Sequence, residues 1–437
     1  MSKYSLETLA VHRSIPEKSG SVQTHIHQTS SFVFESTEHA ANLFALKEFG
    51  SIYSRLTNPT VDEYASRLAN LHGAAGGFAC SSVHAAQLLI FLNLLQSGDH
   101  IVASKYLYGG LVTQLTHTFP RQFRWQSILV DINKLDEVEN AIQENTKALL
   151  MASQSNPSGV IADIKALAKI AHEAGIPLIV DNTVATPYLL NPLEHGADIV
   201  SYSLTKYLSG NGSIVGGAVV DGGTFDWSAS DKFSLLAKPD RSYNNISFHE
   251  TFGKLAFTVR GGLGVGLRDI GATLSPHTAF LTIQGLETLG ARLDKHIKNA
   301  EKVAKFLNAQ PKIRKVNYAG LVNSPYNLWA NRYFPKGVAG LLTIELNEGF
   351  EAGKNLVEQT KLFTHCANIG DARSLIIHPA STTHSQLTEQ ERIQSGVSDG
   401  LVRLSIGLED ANDLIEDLKQ ALDYSEVQYD DQCKKVI

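Results

Sequence analysis

The sequence predicts an α/β protein whose larger part is built on a mostly parallel sheet. Short runs rich in Ile, Val and Leu recur between about Gly76 and Gly222, and helical patterns separate them. The composition, 43% hydrophobic and 19% charged over 437 residues, is that of a globular chain of two or three domains. A sheet of this kind predicts a ligand site outside the carboxyl ends of its strands.

The predicted strands and helices of the larger part follow in order. GGFACSS (76–82) predicts a strand that ends in a turn, and an apolar helix follows through Leu95. Further buried strands are predicted at HIVAS (100–104), SILVD (127–131), ALLMAS (148–153), LIVD (178–181) and DIVSYS (198–203). Asp163 is predicted to cap a helix that Gly175 ends.

A smaller α+β region is predicted to begin near Leu274. Its first long helix carries one apolar face, formed by Leu286, Leu289, Leu293, Ile297, Ala300 and Leu307. Strands follow at LLTIEL (341–346) and VRLSIGL (402–408), and a helix carries Leu414, Leu418 and Leu422. No internal repeat interrupts this order.

Charge, cysteine content and missing motifs exclude several classes of protein. The 38 basic and 44 acidic residues give a formal charge of −6 without blocks of like charge, which argues against partners such as nucleic acid or a membrane surface. The sequence has no CxxC, HExxH, GxSxG or GxxxxGK[ST], so we expect no metal site. GGLGVG (261–266) is interpreted as a flexible connection. Without a secretory signal or a membrane-spanning stretch, we expect a cytoplasmic protein.

Polar residues stand where the predicted strands end. Asp181 closes LIVD, Lys206 follows DIVSYS, and Ser82 opens the helix after GGFAC. Tyr108 and Asn156 follow two further strands. Each residue alone has an ordinary structural explanation as a cap, a turn residue or a solvated charge. Together they match pyridoxal 5'-phosphate (PLP).

The chemistry of PLP explains the match. The cofactor needs a lysine amine for a Schiff base and an anion opposite its pyridinium nitrogen. That anion keeps the ring protonated, and each pKa unit is worth about 1.4 kcal/mol. Hydroxyl groups and the N–H groups of a helix start suit the phosphate, and a tyrosine ring can stack on the pyridine.

The chain resembles the Cys/Met-metabolism family of PLP enzymes, and within it is most similar to the O-acetylhomoserine sulfhydrylases. The matching segments are EHAANLFALKEFGSIYSRLTNPT (38–60), HAAQ (84–87), YGG (108–110), VDNT (180–183), SLTKY (203–207), VDGGTFDW (220–227), ANIGDARSLIIHPASTTHSQL (367–387) and VRLSIGLED (402–410). The resemblance implies an aspartate-aminotransferase-like (type I) fold with a mostly parallel seven-stranded sheet. It divides the chain into an N-terminal segment (1–60) that reaches a neighbouring subunit, a large PLP-binding domain (61–273) and a smaller C-terminal α+β domain (274–437).

The resemblance also implies a role for each site residue. Lys206 resembles the residue that forms the internal aldimine, Asp181 the pyridinium partner and Tyr108 the stacking ring, and these three are the expected catalytic residues. The expected cofactor-binding residues are these three with Asn156, Ser203, Thr205, Val83, His84, Tyr53 and Arg55. Tyr53 and Arg55 are expected to act in trans, which implies at least a dimer, and the family resemblance implies a homotetramer built as a dimer of dimers. The expected substrate-binding residues are Arg403, Ser374 and Tyr53.

The implied reaction is γ-replacement on O-acetyl-L-homoserine. Sulfide or another thiol nucleophile displaces acetate through a vinylglycine-type intermediate and gives L-homocysteine or a related amino acid, for methionine biosynthesis or transsulfuration. A protein-bound sulfur donor is a further candidate partner. The alternatives are a γ- or β-elimination lyase of the cystathionine or methionine type, a specialised homologue that uses a carbon or nitrogen nucleophile, and a non-catalytic homologue.

Four positions depart from the family pattern. Val83 stands where a glycine is usual, Ala152 replaces a glutamate, Asn211 replaces a histidine, and Leu111 occupies a position that is usually Thr. Because a β-branched residue tolerates positive φ poorly, Val83 is expected to alter the phosphate-side turn. The departures leave the nucleophile and the acyl group of the substrate open.

Overall fold

The computed structural model describes residues 4–16, 19–383, 385, 390, 392 and 396–434, with side chains through residue 424 in the last helix. The chain forms two compact units. The first comprises 1–153, 163–209 and 213–289, and the second comprises 154–162, 210–212 and 290–437. Of the STTHSQL motif, His384, Gln386 and Leu387 lie outside the described residues.

The first unit contains a seven-stranded sheet. Its strands are β1 (Gly76–Cys80), β2 (His100–Ser104), β3 (Gln126–Val130), β4 (Thr146–Ala152), β5 (Leu178–Asp181), β6 (Ile199–Ser203) and β7 (Gly217–Asp221). They lie in the order β1-β7-β6-β5-β4-β2-β3, and β7 runs antiparallel to both of its neighbours while the other pairs are parallel. The predicted mostly parallel seven-stranded sheet is therefore confirmed.

Fully buried apolar strands explain why this sheet forms. Every residue of β2, β5, β6 and β7 is buried, which is typical of parallel sheets covered on both faces. The six strands predicted from the sequence all form, and four of them differ from the predicted bounds by one or two residues at an end. β7 was not predicted as a strand.

Helices cover the sheet of the first unit and connect its strands. They are α1 (Leu6–Val11), α2 (Thr37–Phe44), α3 (Pro59–His72), α4 (Val83–Leu94), α5 (Gly109–Thr113), α6 (Phe119–Phe123), α7 (Leu135–Ala141), α8 (Ile164–Glu173), α9 (Thr186–Leu189), α10 (Ser234–Ala237), α11 (Phe248–Phe252), α12 (Ala256–Thr258) and α13 (Pro276–Glu287). The predicted cap of α8 is confirmed, because Asp163 Oδ1 accepts from the Ala166 amide. Gly175, with φ +63°, follows its end as predicted.

The second unit is a smaller α+β unit whose main stretch begins at residue 290, whereas the predicted region begins near Leu274. Its strands β8 (Ile313–Asn317), β9 (Leu341–Leu346), β10 (Thr364–His365), β11 (Leu375–Ile377) and β12 (Leu401–Ser405) form a sheet in the order β10-β11-β12-β9-β8. Its helices are α14 (Leu289–Asn308), α15 (Asn327–Tyr333), α16 (Gly349–Gln359) and α17 (Ala411–Lys434). Leu414, Leu418 and Leu422 of α17 are buried, as their spacing predicts.

Two expectations about the chain after residue 260 are wrong. The single long helix predicted to carry Leu286 and Leu289 is two helices, α13 and α14, which are separated at Thr288. GGLGVG is not a flexible connection, because it lies in two π-helical segments, Val259–Gly264 and Gly266–Ile270. A Cβ at Gly266 would overlap the Gly261 carbonyl, so this segment requires glycine for close packing.

Among the residues that the structure describes, no helix is both long enough and apolar enough to cross a bilayer.

Candidate active site

The carboxyl ends of four parallel strands and the start of β7 lie along one edge of the large sheet. β1 ends at Cys80 and β6 at Ser203, and both residues pair with Gly217 at the start of β7. β5 ends at Asp181 beside β6, and Ala152 of β4 pairs with Asp181 on the other side. The sheet topology therefore brings the predicted strand-end residues of the first unit to one edge.

Lys206 and Asp181 lie on segments that follow neighbouring strands. Lys206 belongs to a single π-helical turn, Leu204–Leu208, directly after β6. Its backbone, with φ −94° and ψ −132°, is not helical, so the chain changes direction at this residue. Asp181 closes β5 and is 6% exposed. An amine and a buried carboxylate thus follow adjacent parallel strands, as predicted.

The carboxylate of Asp181 is held by hydrogen bonds on both oxygens. The Thr183 amide donates to Oδ1 at 3.0 Å, and the Gln87 amide nitrogen donates to Oδ2 at 3.3 Å. Burial raises the pKa of Asp181, while the hydrogen bonds from Thr183 lower it. A cationic ring nitrogen placed against this carboxylate would offset the cost of its burial. The site therefore fits a pyridinium group.

Tyr108 lies beside the same carboxylate. It precedes α5, is half-buried, and its hydroxyl donates to Gln87 Oε1 at 3.1 Å. Its ring centroid lies 5.4 Å from that of His84. Burial raises the pKa of Tyr108 well above its usual range, and the charge of Asp181 raises it further. Tyr108 is therefore a neutral phenol in this arrangement.

The start of α4 forms the predicted phosphate side. Ser82 caps α4, because its Oγ accepts from the Ala85 amide at 3.1 Å. Val83 and His84 are the first two residues of α4. Non-glycine residues with positive φ are Leu46, Arg124, Thr186, Asn244 and Asn245 in the described chain, and Val83 is not among them. The expected effect of a β-branched residue at positive φ does not arise, because Val83 begins the helix.

Hydroxyl groups from β6 and the turn after it flank this helix start. Ser203 is 5% exposed, and its amide donates to Thr183 Oγ1 at 2.8 Å. Thr205 Oγ1 accepts from the Gly216 amide at 3.2 Å. A Cβ at Gly217 would overlap the Ser82 carbonyl, so the backbone of β7 passes directly under the turn before α4. Two hydroxyl groups and a helix N-terminus along one edge suit an anion such as the PLP phosphate.

Three predicted site residues belong to the second unit. Arg403 on β12 donates to Asn156 Oδ1 and to the Asn368 carbonyl, both at 3.2 Å. Ser374 is fully buried, and both its amide and its hydroxyl donate to Glu409, at 2.6 and 2.9 Å. The substrate role of Ser374 stays a prediction that this arrangement does not support.

Tyr53 and Arg55 lie at the surface of the first unit. Tyr53 is 41% exposed, and the Arg55 guanidinium carbon lies 5.6 Å from the centroid of its ring. Arg55 Nη1 also donates to the Arg268 carbonyl. Arg55 and Arg268 line an open cleft together with Tyr243 and Phe49. The structure thus leaves Tyr53 exposed, and its role in trans stays a prediction.

A buried hydrogen-bonded chain supports the residue after Asp181, and the sequence did not reveal it. Asn182 Nδ2 donates to the Tyr202 hydroxyl, which donates to His72 Nε2, both at 2.7 Å. His72 Nδ1 donates to Asn191 Oδ1 at 2.7 Å, because the Asn191 amide nitrogen is used as a donor to the His72 carbonyl. Burial lowers the pKa of His72 to about 4. His72 is therefore neutral, with its proton on Nδ1.

One edge of this mostly parallel sheet thus carries a buried carboxylate, a lysine, an aromatic ring and a helix start. These are the groups that PLP requires, so the site is that of a PLP-dependent enzyme. The family model described as "Cys/Met metabolism PLP-dependent enzyme" matches residues 7–423. The chain belongs to this family.

Curated relatives and a solved structure match nearly the whole chain. It is 44% identical over 428 residues to an O-acetyl-L-homoserine sulfhydrylase of Leptospira meyeri, covering 95% of this chain and 96% of the relative. It is 40% identical over 400 residues to a homocysteine synthase of Schizosaccharomyces pombe, with coverages of 91% and 93%.

The solved structure is a putative O-acetylhomoserine (thiol)-lyase of Campylobacter jejuni that carries N'-pyridoxyl-lysine-5'-monophosphate. It is 42% identical, has a TM-score of 0.93, and covers 96% of this chain and all of its own. The type I PLP fold and the PLP cofactor are therefore confirmed.

Proposed function

We propose that this protein catalyses γ-replacement on O-acetyl-L-homoserine, with sulfide or a thiol displacing acetate to give L-homocysteine or a related amino acid. The observation that carries the proposal is that Lys206 directly follows β6 and that the buried Asp181 ends β5, the strand paired with β6. The relatives named as O-acetylhomoserine sulfhydrylases and homocysteine synthase support the substrate and the product.

The chain's own residues have distinct parts in this reaction. PLP, when bound, supplies an electron sink that stabilises negative charge next to the substrate amino group. Asp181 holds positive charge at the ring nitrogen, and Lys206 moves protons at the substrate carbons. Ser203, Thr205 and the start of α4 bind the phosphate, and Tyr108 supplies stacking area. Arg403 is proposed to bind the substrate carboxylate, since its planar fork suits a carboxylate.

The reaction is tested by incubating the protein with PLP, O-acetyl-L-homoserine and one nucleophile at a time. The nucleophiles are sulfide, methanethiol, a protein-bound sulfur donor and small carbon acids, and products are identified by mass. Homocysteine with acetate from sulfide supports the proposal. A 2-oxo acid with ammonia would instead indicate a lyase, and a product formed only with a carbon acid would indicate a specialised homologue.

Variants separate the lysine's role from general loss of charge. Lys206→Ala is expected to abolish turnover, because the residue both binds PLP and moves protons. Lys169→Ala is the matched control, because Lys169 lies on the exposed side of α8 with a side chain that is 75% exposed. Borohydride treatment should fix a pyridoxyl group on Lys206, and peptide mapping should locate it there. Full activity in Lys206→Ala would contradict the proposal.

We also propose that the active protein is a homotetramer formed as a dimer of dimers, with Tyr53 and Arg55 acting in trans. Large apolar side chains of the N-terminal segment support an interface there, because Val33 is 96%, Phe44 61% and Phe49 56% exposed. Exposed apolar groups clustered on one segment are typical of a protein–protein surface. We also propose a cytoplasmic location, and the sequence resemblance supports a place in methionine biosynthesis or transsulfuration.

Subunit complementation tests the role in trans. A dimer of one Arg55→Ala subunit and one Lys206→Ala subunit retains one site that has both Lys206 and the partner's Arg55. Activity that returns on mixing two inactive variants therefore supports Arg55 in trans. If the co-expressed variants stay inactive while purification on two different affinity tags recovers mixed oligomers, the arginine acts within its own subunit or not at all.

A further inference from the structure

Gln87 links the two predicted PLP-facing side chains, Asp181 and Tyr108. It lies on α4 and is 1% exposed. Its amide nitrogen donates to Asp181 Oδ2 at 3.3 Å, and its amide oxygen accepts from the Tyr108 hydroxyl at 3.1 Å. One buried side chain therefore contacts both the predicted ring-nitrogen partner and the predicted stacking ring.

The charge of Asp181 fixes the orientation of the Gln87 amide. An ionised carboxylate only accepts hydrogen bonds, so the NH₂ group must face Asp181. The amide oxygen then faces Tyr108, and the phenol must donate its proton to that oxygen. The reverse orientation would require a protonated Asp181. This orientation of the Gln87 amide therefore goes with an ionised Asp181 and a Tyr108 that keeps its proton.

Burial makes this arrangement matter for both groups. It raises the pKa of Asp181 and so disfavours the anion that PLP needs. Burial and the charge of Asp181 also raise the pKa of Tyr108, which favours the phenol. The Gln87 amide nitrogen supplies a donor to Asp181, which offsets the first effect. The hydrogen bond between Tyr108 and the Gln87 amide oxygen lowers the pKa of Tyr108, but burial and the charge of Asp181 outweigh it, so the phenol keeps its proton.

We propose that Gln87 is a positioning residue that keeps Asp181 ionised against the PLP ring nitrogen and orients the Tyr108 hydroxyl as a hydrogen-bond donor. The inference rests on the proposed function, since it assigns Asp181 and Tyr108 to the PLP site. It also implies that Lys206, not Tyr108, removes protons from the substrate, because the phenol in the resting protein keeps its proton.

The test compares Gln87→Met with Gln114→Met in the full-length protein. Methionine keeps the length of the side chain and removes both hydrogen bonds. Gln114 is the matched control, because its amide donates only to the His84 carbonyl among the hydrogen bonds that the structure records for it. The readouts are the dissociation constant of PLP from the apoprotein and the pH at which the visible band of the PLP-loaded protein titrates.

Gln87→Met is expected to weaken PLP binding about tenfold, which corresponds to about 1.4 kcal/mol. A less ionised Asp181 leaves less positive charge at the ring nitrogen, so the visible band is expected to titrate about one pH unit higher. Gln114→Met is expected to match the wild type in both readouts. A merely structural role for Gln87 would lower thermal stability without moving the titration.

A double-mutant cycle tests the link to Tyr108. Tyr108→Phe removes the hydroxyl that donates to Gln87, so its effect on PLP affinity is expected to be at least threefold smaller in the Gln87→Met background. Additive effects would show that the two residues act independently.

The outcomes separate this inference from the proposed function. Wild-type protein that acquires no pyridoxyl group on Lys206 would overturn the proposed function itself. Wild-type protein that binds PLP normally, with Gln87→Met equal to it in affinity and titration, would overturn the inference alone. If Gln87→Met does not fold, Gln87→Glu replaces it. Its carboxylate has the same shape and repels Asp181, so PLP affinity should fall as the pH rises, and an unchanged affinity would again overturn the inference.

Discussion

Replacing His72 by glutamine should change how the stability of the protein depends on pH. His72 is 5% exposed and neutral, with Nδ1 donating to Asn191 and Nε2 accepting from Tyr202. A glutamine at this position offers an N–H donor and a carbonyl acceptor but does not titrate. The variant therefore keeps the types of hydrogen bond while removing the protonation.

The magnitude follows from the lowered pKa. Burial lowers the pKa of His72 from 6.5 to about 4. Between these two pH values His72 is protonated in the unfolded chain but neutral in the folded protein. Stability is complete above pH 6.5 and falls by about 1.4 kcal/mol for each unit down to pH 4. The total is about 3 kcal/mol, since the window spans roughly 2.5 units.

Asp221 should make the free energy of unfolding change with pH in the opposite direction, so it serves as the control. Burial raises its pKa to about 6, despite hydrogen bonds from Gly223 and Thr258. Its protonated form is favoured in the folded protein, so its contribution is present below pH 3.8 and is lost as the pH rises to about 6. The two slopes overlap and partly cancel in the wild type, so only differences between variants isolate each one.

The assay is the free energy of unfolding in urea, measured on the apoprotein from pH 4 to pH 7.5. The difference between wild type and His72→Gln should grow in favour of the variant by about 3 kcal/mol as the pH falls. Asp221→Asn should shift the balance in the reverse direction, gaining on the wild type as the pH rises. A His72→Gln difference that is constant across the range would refute the argument, because His72 would then be as easily protonated folded as unfolded.

Three further outcomes are expected. Gly217→Ala should weaken PLP binding more than tenfold in a fluorescence titration, because its Cβ overlaps the Ser82 carbonyl; unchanged affinity would exclude a role for this close approach. Arg67→Met should lower the unfolding free energy by about 3 kcal/mol, since it leaves the buried Glu63 carboxylate without its 2.8 Å partner; a loss below about 1 kcal/mol would contradict this. Cys80, fully buried with its pKa raised to about 12, should resist thiol reagents in the native protein at pH 8, and rapid labelling of its peptide would show that the β1 edge opens.

Buried strands and their order along the chain were predictable because each is a short apolar run with polar residues at its end. Asp181 and Lys206 could be found for the same reason, since parallel strands bring their carboxyl ends to one edge. β7 was not predicted because its short run GAVVD follows a glycine. The strand also pairs in the antiparallel direction, which no local sequence pattern indicates. The break at Thr288 escaped because the apolar spacing continues through it into α14.

Gln87 escaped prediction because α4 is apolar around most of its circumference. No single face stands out in such a helix, so an amide within it resembles an interruption of the pattern. The available signal was physical: a buried amide must find partners, as Gln87 does with Asp181 and Asn93 does with the Phe257 carbonyl. Sequence alone indicates that partners must exist and cannot say which they are.

The end of β5 is held from two sides, and the alternation of a strand explains how. Successive side chains of an extended segment point in opposite directions, so Asp181 and Asn182 meet different partners. Asp181 accepts hydrogen bonds from Thr183 and Gln87, whereas Asn182 donates to Tyr202 in the buried hydrogen-bonded chain. Changes on the Gln87 side should therefore alter the charge that PLP meets, while changes in the buried chain should alter how firmly the strand end is fixed. The two sets of variants thus divide between spectroscopic and stability readouts, and a variant of the buried chain that moved the titration without lowering stability would show that this division is wrong.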